Sequence, residues 1–268
     1  MRTTSASWVG AILFLLALGR VVAGGEGGHE GVQEERLGMA PKPDLWPRPV
    51  YSKDGLHIAY VTGEMGEKCL VVVDGQPGPE YRAVGALAFS PDGKRVRYTA
   101  WKRGKWFIVL DGEPGPGYDE ILMDGVVFSP DSKHVAYAAQ KGDKWFVVLD
   151  GQPGSEYAGI GERSLVFSSD GKRLAYWAKK PYKWFVVLDG QPGPEHDWVP
   201  GGRIVFSSDG KRVAYEAKNE GKMFVVLDGQ PGPEYDGIIP YGPAIHPDGV
   251  VEYLAIRDGV LYRVKHVP

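Results

Sequence analysis

The pentapeptides that begin at Tyr51, Phe89, Phe128, Phe167, Phe206 and Ile245 read YSKDG, FSPDG, FSPDS, FSSDG, FSSDG and IHPDG, spaced first by 38 residues and thereafter by 39. A fixed period of this size marks one supersecondary unit stacked in copies, each burying an apolar face that it cannot bury alone. Because the copies share one chain, they can be compared with each other. Positions held constant serve the shared scaffold, and positions that drift are free to carry a specific function.

Each copy resolves into four short apolar segments, seen for example at residues 165–168, 173–178, 184–188 and 196–199. Their length, their β-branched and aromatic content and the Gly and Pro residues between them predict four strands, A to D. The high Gly and Pro counts, 38 and 21 in 268 residues, fit many short strands joined by tight turns. Between A and B, Pro suits the second turn position, Asp can bond its own backbone, and Gly accepts a positive φ. Between C and D stands a D-G-Q-P-G-P-E-Y phrase that starts, with small variations, at Asp74, Asp111, Asp150, Asp189 and Asp228. Strand C is apolar at consecutive positions, as in Phe146, Val147, Val148 and Leu149, so both faces of its sheet should be covered. Strand B repeats a tyrosine at positions 60, 98, 137, 176, 215 and 253. Small four-stranded sheets with two buried faces, repeated radially, describe an all-β, six-bladed β-propeller of four-stranded antiparallel blades.

The expected strand D is short and interrupted by Asp or Gly, as at Tyr235, Asp236, Gly237 and Ile238, which suits an exposed outer edge. Pro47 and Pro49 fall in the first copy's strand A, tolerable in an innermost edge strand. The sixth copy runs out after its strand C, and part of residues 31–40 is expected to supply its missing outer strand. Arg2, an apolar run over residues 8–18 and the small residues that follow have the form of a signal peptide. The expected organisation is thus a signal peptide over 1–23, a linker over 24–44 and a propeller over 45–268, with repeats starting near 45, 85, 124, 163, 202 and 241. Losing residues 1–23 removes Arg2 and Arg20 and no acid, which moves the formal charge from −3 to −5. A protein of this charge, exported and without a second span, is not expected to bind nucleic acid or to cross a membrane. Cys69 is the only cysteine and stands where other copies carry Trp106, Trp145 and Trp184, so it reads as a buried structural thiol.

The F-S-P-D-G-K-R-V-A-Y phrase resembles the WD-repeat-like propeller repeat of the TolB family, and five to six copies over residues 45–268 match it. It departs from true WD repeats, lacking their Gly-His and Trp-Asp dipeptides, and only about twenty polar residues stand where TolB has an N-terminal α/β domain. The resemblance implies a six-bladed propeller in an exported compartment, periplasmic or extracellular, without carrying over TolB's partners.

Alternating strand direction puts the A–B and C–D turns at one end of the blades and the B–C and D–A loops at the other. The second end is where the copies differ. Its B–C loops, read as 62–68, 100–105, 139–144, 178–183 and 217–222, are rich in lysine. Trp101, Lys102, Arg103, Lys141, Lys144, Lys179, Lys180, Tyr182 and Lys218, joined by Arg163 and Arg203 from D–A loops, are the candidate binding residues. Cations with interleaved aromatics on a rigid scaffold suit an anionic glycan or an acidic envelope protein. Ordinary solubilising lysines are the competing reading, and Glu64, Glu67, Asp143, Glu162 and Glu220 dilute the field.

Catalytic signals are weaker: no G-x-S-x-G elbow is present, and S-S-D-G-K lacks the Asp-x-Gly of a sialidase Asp-box. His57, His134, His196 and His246 are scattered replacements in different copies, and no D-x-D-x-D spacing appears, so no metal, cofactor or catalytic residue is assigned. The expected function is non-catalytic binding by a monomer. Two alternatives stay open: a propeller hydrolase or lyase using Asp143, Glu162, Glu216 and Glu220, and a self-associating structural protein.

Overall fold

The computed structural model describes residues 48–199, 203–239 and 242–267. Six antiparallel sheets follow one another along the chain. Strands B are Ile58–Glu64, Val96–Lys102, Val135–Lys141, Leu174–Lys179, Val213–Asn219 and Val251–Arg257. Strands C are Lys68–Val73, Lys105–Leu110, Lys144–Leu149, Trp184–Leu188, Lys222–Leu227 and Val260–His266. The protein is all-β, a six-bladed β-propeller of four-stranded antiparallel blades, as the repeat predicts. Consecutive apolar residues in strand C are indeed covered on both faces: Phe146, Val147 and Val148 are all buried.

The edges of the repeat differ from the sequence reading. Strand D is only a Gln-Pro or Glu-Pro pair, such as Gln76–Pro77, followed after a bulge by one bridging residue: Tyr81 on Cys69, Tyr118 on Trp106, Tyr157 on Trp145, His196 on Trp184 and Tyr235 on Met223. The residues after that bridge, expected to continue strand D, pair instead with strand B of the next blade. Gly159 and Ile160 pair with Lys179 and Ala178, and Gly237 and Ile238 with Ile256 and Ala255. Strand A is therefore split, a first segment beside the end of strand B and a second, such as Val166–Phe167, beside its start. In blade two the two parts run together as Ala83–Phe89, with a register shift between Gly85 and Ala88 and Ala86 at φ 47°. In blade one, strand A is Val50–Tyr51, which begins after Pro49; Pro47 lies outside the described residues. Residues 31–40 also lie outside them, and among the described residues strand Val260–His266 pairs only with strand B of its own blade.

The turns explain the constant residues. In each of the first five copies the turn Ser hydroxyl donates to the turn Asp two residues on, as in Ser168 Oγ to Asp170 Oδ1 at 2.6 Å, and accepts the amide of the residue just before strand B, here Arg173. That hydroxyl is the main reason the carboxylates of Asp54, Asp92, Asp131, Asp170 and Asp209 are held below their ordinary range. The first Asp of the C–D turn has positive φ in all five copies, from 47° to 53°. Its Oδ1 accepts the first strand-B amide (Val96 N to Asp111, 2.9 Å), while its Oδ2 meets the side chain before it (Arg95 Nε, 3.0 Å). Arg173 and Arg212 repeat this contact, and His57 and His134 substitute for them. The arginines then reach the next blade: Arg173 Nη1 donates to Lys211 O at 2.8 Å, and Arg212 Nη1 to Gly249 O at 2.8 Å.

Tyrosines close the seams between blades. Each strand-D Tyr meets the strand-B Tyr of the following blade edge-on, with centroids 6.1 Å apart for Tyr81–Tyr98, 5.9 Å for Tyr118–Tyr137, 6.4 Å for Tyr157–Tyr176 and 6.1 Å for Tyr235–Tyr253. Such pairs contribute about 0.5–1.5 kcal/mol beyond their burial. At the seam between blades four and five, His196 takes the tyrosine's place, 3% exposed, and neither ring nitrogen has a hydrogen-bond partner.

Two outcomes follow from this packing. Gly171 combines φ +74° with a Cβ position only 2.6 Å from Asp131 Oδ1, whereas Gly151, at φ +79°, faces open space. Both Ala substitutions strain the backbone by about 1–2 kcal/mol, but Gly171→Ala must also displace a carboxylate of the neighbouring turn, so chemical denaturation should show it to be the more destabilising. His196→Tyr should stabilise the fold by about 1 kcal/mol, a melting-temperature rise of roughly 2–4 °C. Burial holds the His196 imidazole below its ordinary 6.5, so the unfolded chain binds this proton more readily. Its neutral form thus supports folding above that pH, and the support is lost as pH falls through the folded value. The advantage of His196→Tyr in thermal melts should accordingly widen in acid.

Candidate functional site

The B–C connections are tighter than the sequence suggests. Strand pairing continues to Lys102↔Lys105, Lys141↔Lys144 and Asn219↔Lys222, which leaves two-residue turns at 103–104, 142–143 and 220–221. Arg103 and Gly104 have φ 53° and 78°, and Glu220 and Gly221 have 48° and 82°, the left-handed pair that matches the twist of a hairpin. Trp101, Lys102, Lys141, Lys144, Lys179 and Lys218 are therefore strand residues rather than loop residues, held at fixed places. Only blade one and blade four have longer connections, and in the latter Tyr182 stands 89% exposed.

Most of the cations already have company. Lys144 pairs with Asp143 at 3.5 Å, and Arg163 and Lys180 form ion pairs with Asp124 and Glu195. Lys102 donates to Glu80 O at 3.0 Å and lies 5.5 Å from the Tyr81 ring, while Lys179 lies 5.2 Å from the Trp184 ring. Trp101 is half-buried, opposite Trp106 and beneath the Arg82 guanidinium at 5.4 Å. Arg103, Lys141, Arg203 and Lys218 form no ion pair among the described residues.

The residue after each strand-D bridge, which the sequence reading passed over, sets this balance. In successive copies it is Arg82, Asp119, Ala158, Asp197 and Asp236. Asp119 pairs with Lys105 of its own blade side and accepts the Gly142 amide of the next hairpin at 2.8 Å. Asp197 does the same with Lys183 at 2.6 Å and the Glu220 amide at 2.8 Å, and Asp236 with Lys222 at 2.6 Å and the Asp258 amide at 2.8 Å. These lysine contacts hold all three carboxylates below their ordinary range. At the seam between blades three and four, Ala158 supplies no carboxylate. Its amide donates to Lys179 O at 2.9 Å and its neighbour Tyr157 bridges Trp145, next to Lys144. Lys144 and Lys179 thus flank the one crossing of the last four that lacks an acid. Comparing the five crossing residues in the sequence would have found it.

The carboxylates considered for catalysis are dispersed. Asp143 is 87% exposed beside Lys144, Glu220 is an exposed turn residue, and Glu162 is exposed beside Arg163. Glu216 is 5% exposed inside blade five, where burial raises its carboxyl above the ordinary range. Asp143 pairs with Lys144, and the Glu220 amide donates to Asp197, so neither contact joins two of the four. His57 and His246, two of the scattered replacements, face different partners, Asp74 at 2.7 Å and Glu252 at 3.7 Å. Among the described residues no group of three or more His, Cys, Asp or Glu could hold a metal ion. Cys69 is buried, with its thiol raised by burial and its Sγ 3.5 Å from Tyr81 O, as a structural thiol should be.

No family model matches the sequence, and no curated protein does. Among solved structures the chain is similar to TolB from Acinetobacter baumannii, at 18% identity over 70% of this chain and 54% of that one, with a TM-score of 0.38. It is also similar to the β-propeller domain of the trilobed protease from Pyrococcus furiosus, at 15% identity over 81% and 79%, TM-score 0.41. A third likeness is to the periplasmic gluconolactonase of Pseudomonas aeruginosa, at 16% identity over 82% and 88%, TM-score 0.36. The chain spans about half the length of that TolB, and likenesses at these values carry no conclusion about ligand, reaction or partner.

Proposed function

We propose that this protein is an exported, non-catalytic binding propeller whose hairpin end recognises an acidic surface on an envelope protein, with the contact centred on the seam between blades three and four. Export rests on the form of residues 1–23, and among the described residues no helix is long and apolar enough to cross a membrane. One observation carries the proposal. Asp119, Asp197 and Asp236 neutralise a lysine at their crossings, while Ala158 leaves Lys144 and Lys179 without that acid. Lys141, opposite Lys144 in the blade-three hairpin, adds a third cation, which also helps hold Asp119 below its ordinary range, and Tyr182 an exposed ring beyond the blade-four hairpin. Because the lysines belong to paired strands, little conformational entropy is lost in aligning their backbones against a partner. Clustered positive charge on such a frame accelerates and orients docking of an acidic surface.

The test is capture from an envelope extract with the mature protein, a Lys141→Glu/Lys144→Glu/Lys179→Glu variant and Ala158→Asp, alongside an immobilised sulfated glycan. Wild type should retain an acidic protein in a salt-dependent way; the triple variant should lose it, and Ala158→Asp, which restores the repeat carboxylate, should weaken it several-fold. Equal retention by folded wild type and both variants would overturn the assignment. Retention on the glycan alone, lost in the triple variant, would move the same surface to an anionic glycan.

A further inference from the structure

The second blade breaks the repeat at one interior place. Facing residues of strands A and B are Val50 and Ala59, Val127 and Ala136, Val166 and Ala175, and Val205 and Ala214 in blades one, three, four and five. All four alanines are fully buried. In blade two the pair is Ala88 and Arg97. The large and small partners have changed sides, and a cation has entered a position that in those four blades admits only a methyl group; blade six makes a parallel exchange, Ala244 facing Glu252, but there the charge is paired with Arg263 and Lys265.

Ala88 and Arg97 line a hollow of about 550 Å³ between the first strands of blades one, two and three. Its walls include Val50, Phe89, Val127 and Phe128, and its rim includes Lys53 at the A–B turn end. This is the end of the blades opposite the lysine hairpins. The Arg97 guanidinium lies 5.9 Å over the Phe128 ring, and its Nη1 donates to Ala86 O at 2.5 Å, the carbonyl turned inward by the left-handed backbone at Ala86. Its buried Nε has no hydrogen-bond partner, and no carboxylate among the described residues pairs with it. Burial pushes its pKa down to about 10, so it remains charged at neutral pH. A guanidinium in this setting has unused donors in a planar fork, the arrangement that suits a carboxylate.

We propose that this hollow is a binding site for a carboxylate carried on an aromatic or aliphatic body, with Arg97 taking the carboxylate, Phe89 and Phe128 the apolar body, and Lys53 adding charge at the mouth. The same chemistry occurs in a small free acid and in the C-terminus of a peptide ending in an apolar residue. Fluorine NMR separates them, using para-fluorobenzoate and an acetylated tripeptide ending in para-fluorophenylalanine, each compared with its neutral amide. At least one acid should broaden saturably and its amide should not; the tighter of the two acids identifies the source. Arg97→Ala, with or without Ala88→Val to restore the repeat pair, gives the residues four other copies already bury, so it should fold and should bind the acid roughly tenfold more weakly or worse. Ala158→Asp should leave this binding unchanged. Acid and amide binding alike, undiminished binding by folded Arg97→Ala, or no binding of any probe would overturn the proposal.

Discussion

The aspartate that opens each C–D turn is the contact on which the rest of the blade depends. One carboxylate caps the first amide of strand B, holds the Arg or His beside it, and sits in a left-handed backbone that closes the turn. Because that arginine also reaches a carbonyl of the next blade, the same residue fixes the geometry within a blade and the distance to its neighbour. The side chains are partly exposed, 31% and 33% for Arg95 and Asp111, so the ion pair itself contributes little net energy. Its value lies in orientation: a charge-assisted bond to a backbone-anchored carboxylate permits few alternatives.

The architecture was legible in the sequence because the repeat holds constant the residues with obligatory jobs. Ser and Asp of the A–B turn, Asp of the C–D turn and the paired tyrosines of four seams appear at a fixed period, and prove to be tied to backbone or to each other. The boundary between strand D and the next strand A was not legible. Both are two-residue segments broken by Gly or Asp, too short to show a period, and only pairing decides which sheet owns Gly159 or Gly237.

The candidate site was legible in composition, whereas the pairing of its charges was not. Lysines at hairpins were visible, but whether each meets a carboxylate from the crossing depends on one residue there, Asp119 in one copy and Ala158 in the next. Arg97 shows the same limit. As a letter in strand B it resembles the arginines that precede it, and only its pairing with Ala88 reveals that it points into the interior.

The substitution at position 196 has a further consequence for how the array comes apart. In a chain of units that mainly touch their neighbours, global cooperativity is only as strong as the weakest interface. At the seam between blades four and five an imidazole with unpaired ring nitrogens stands in place of the tyrosine, although Trp177 adds a ring contact to Tyr215 there. Local opening of the ring should begin at that seam, so the backbone amides of strands that border it are the ones expected to exchange through a lower-energy event than those at the Tyr–Tyr seams.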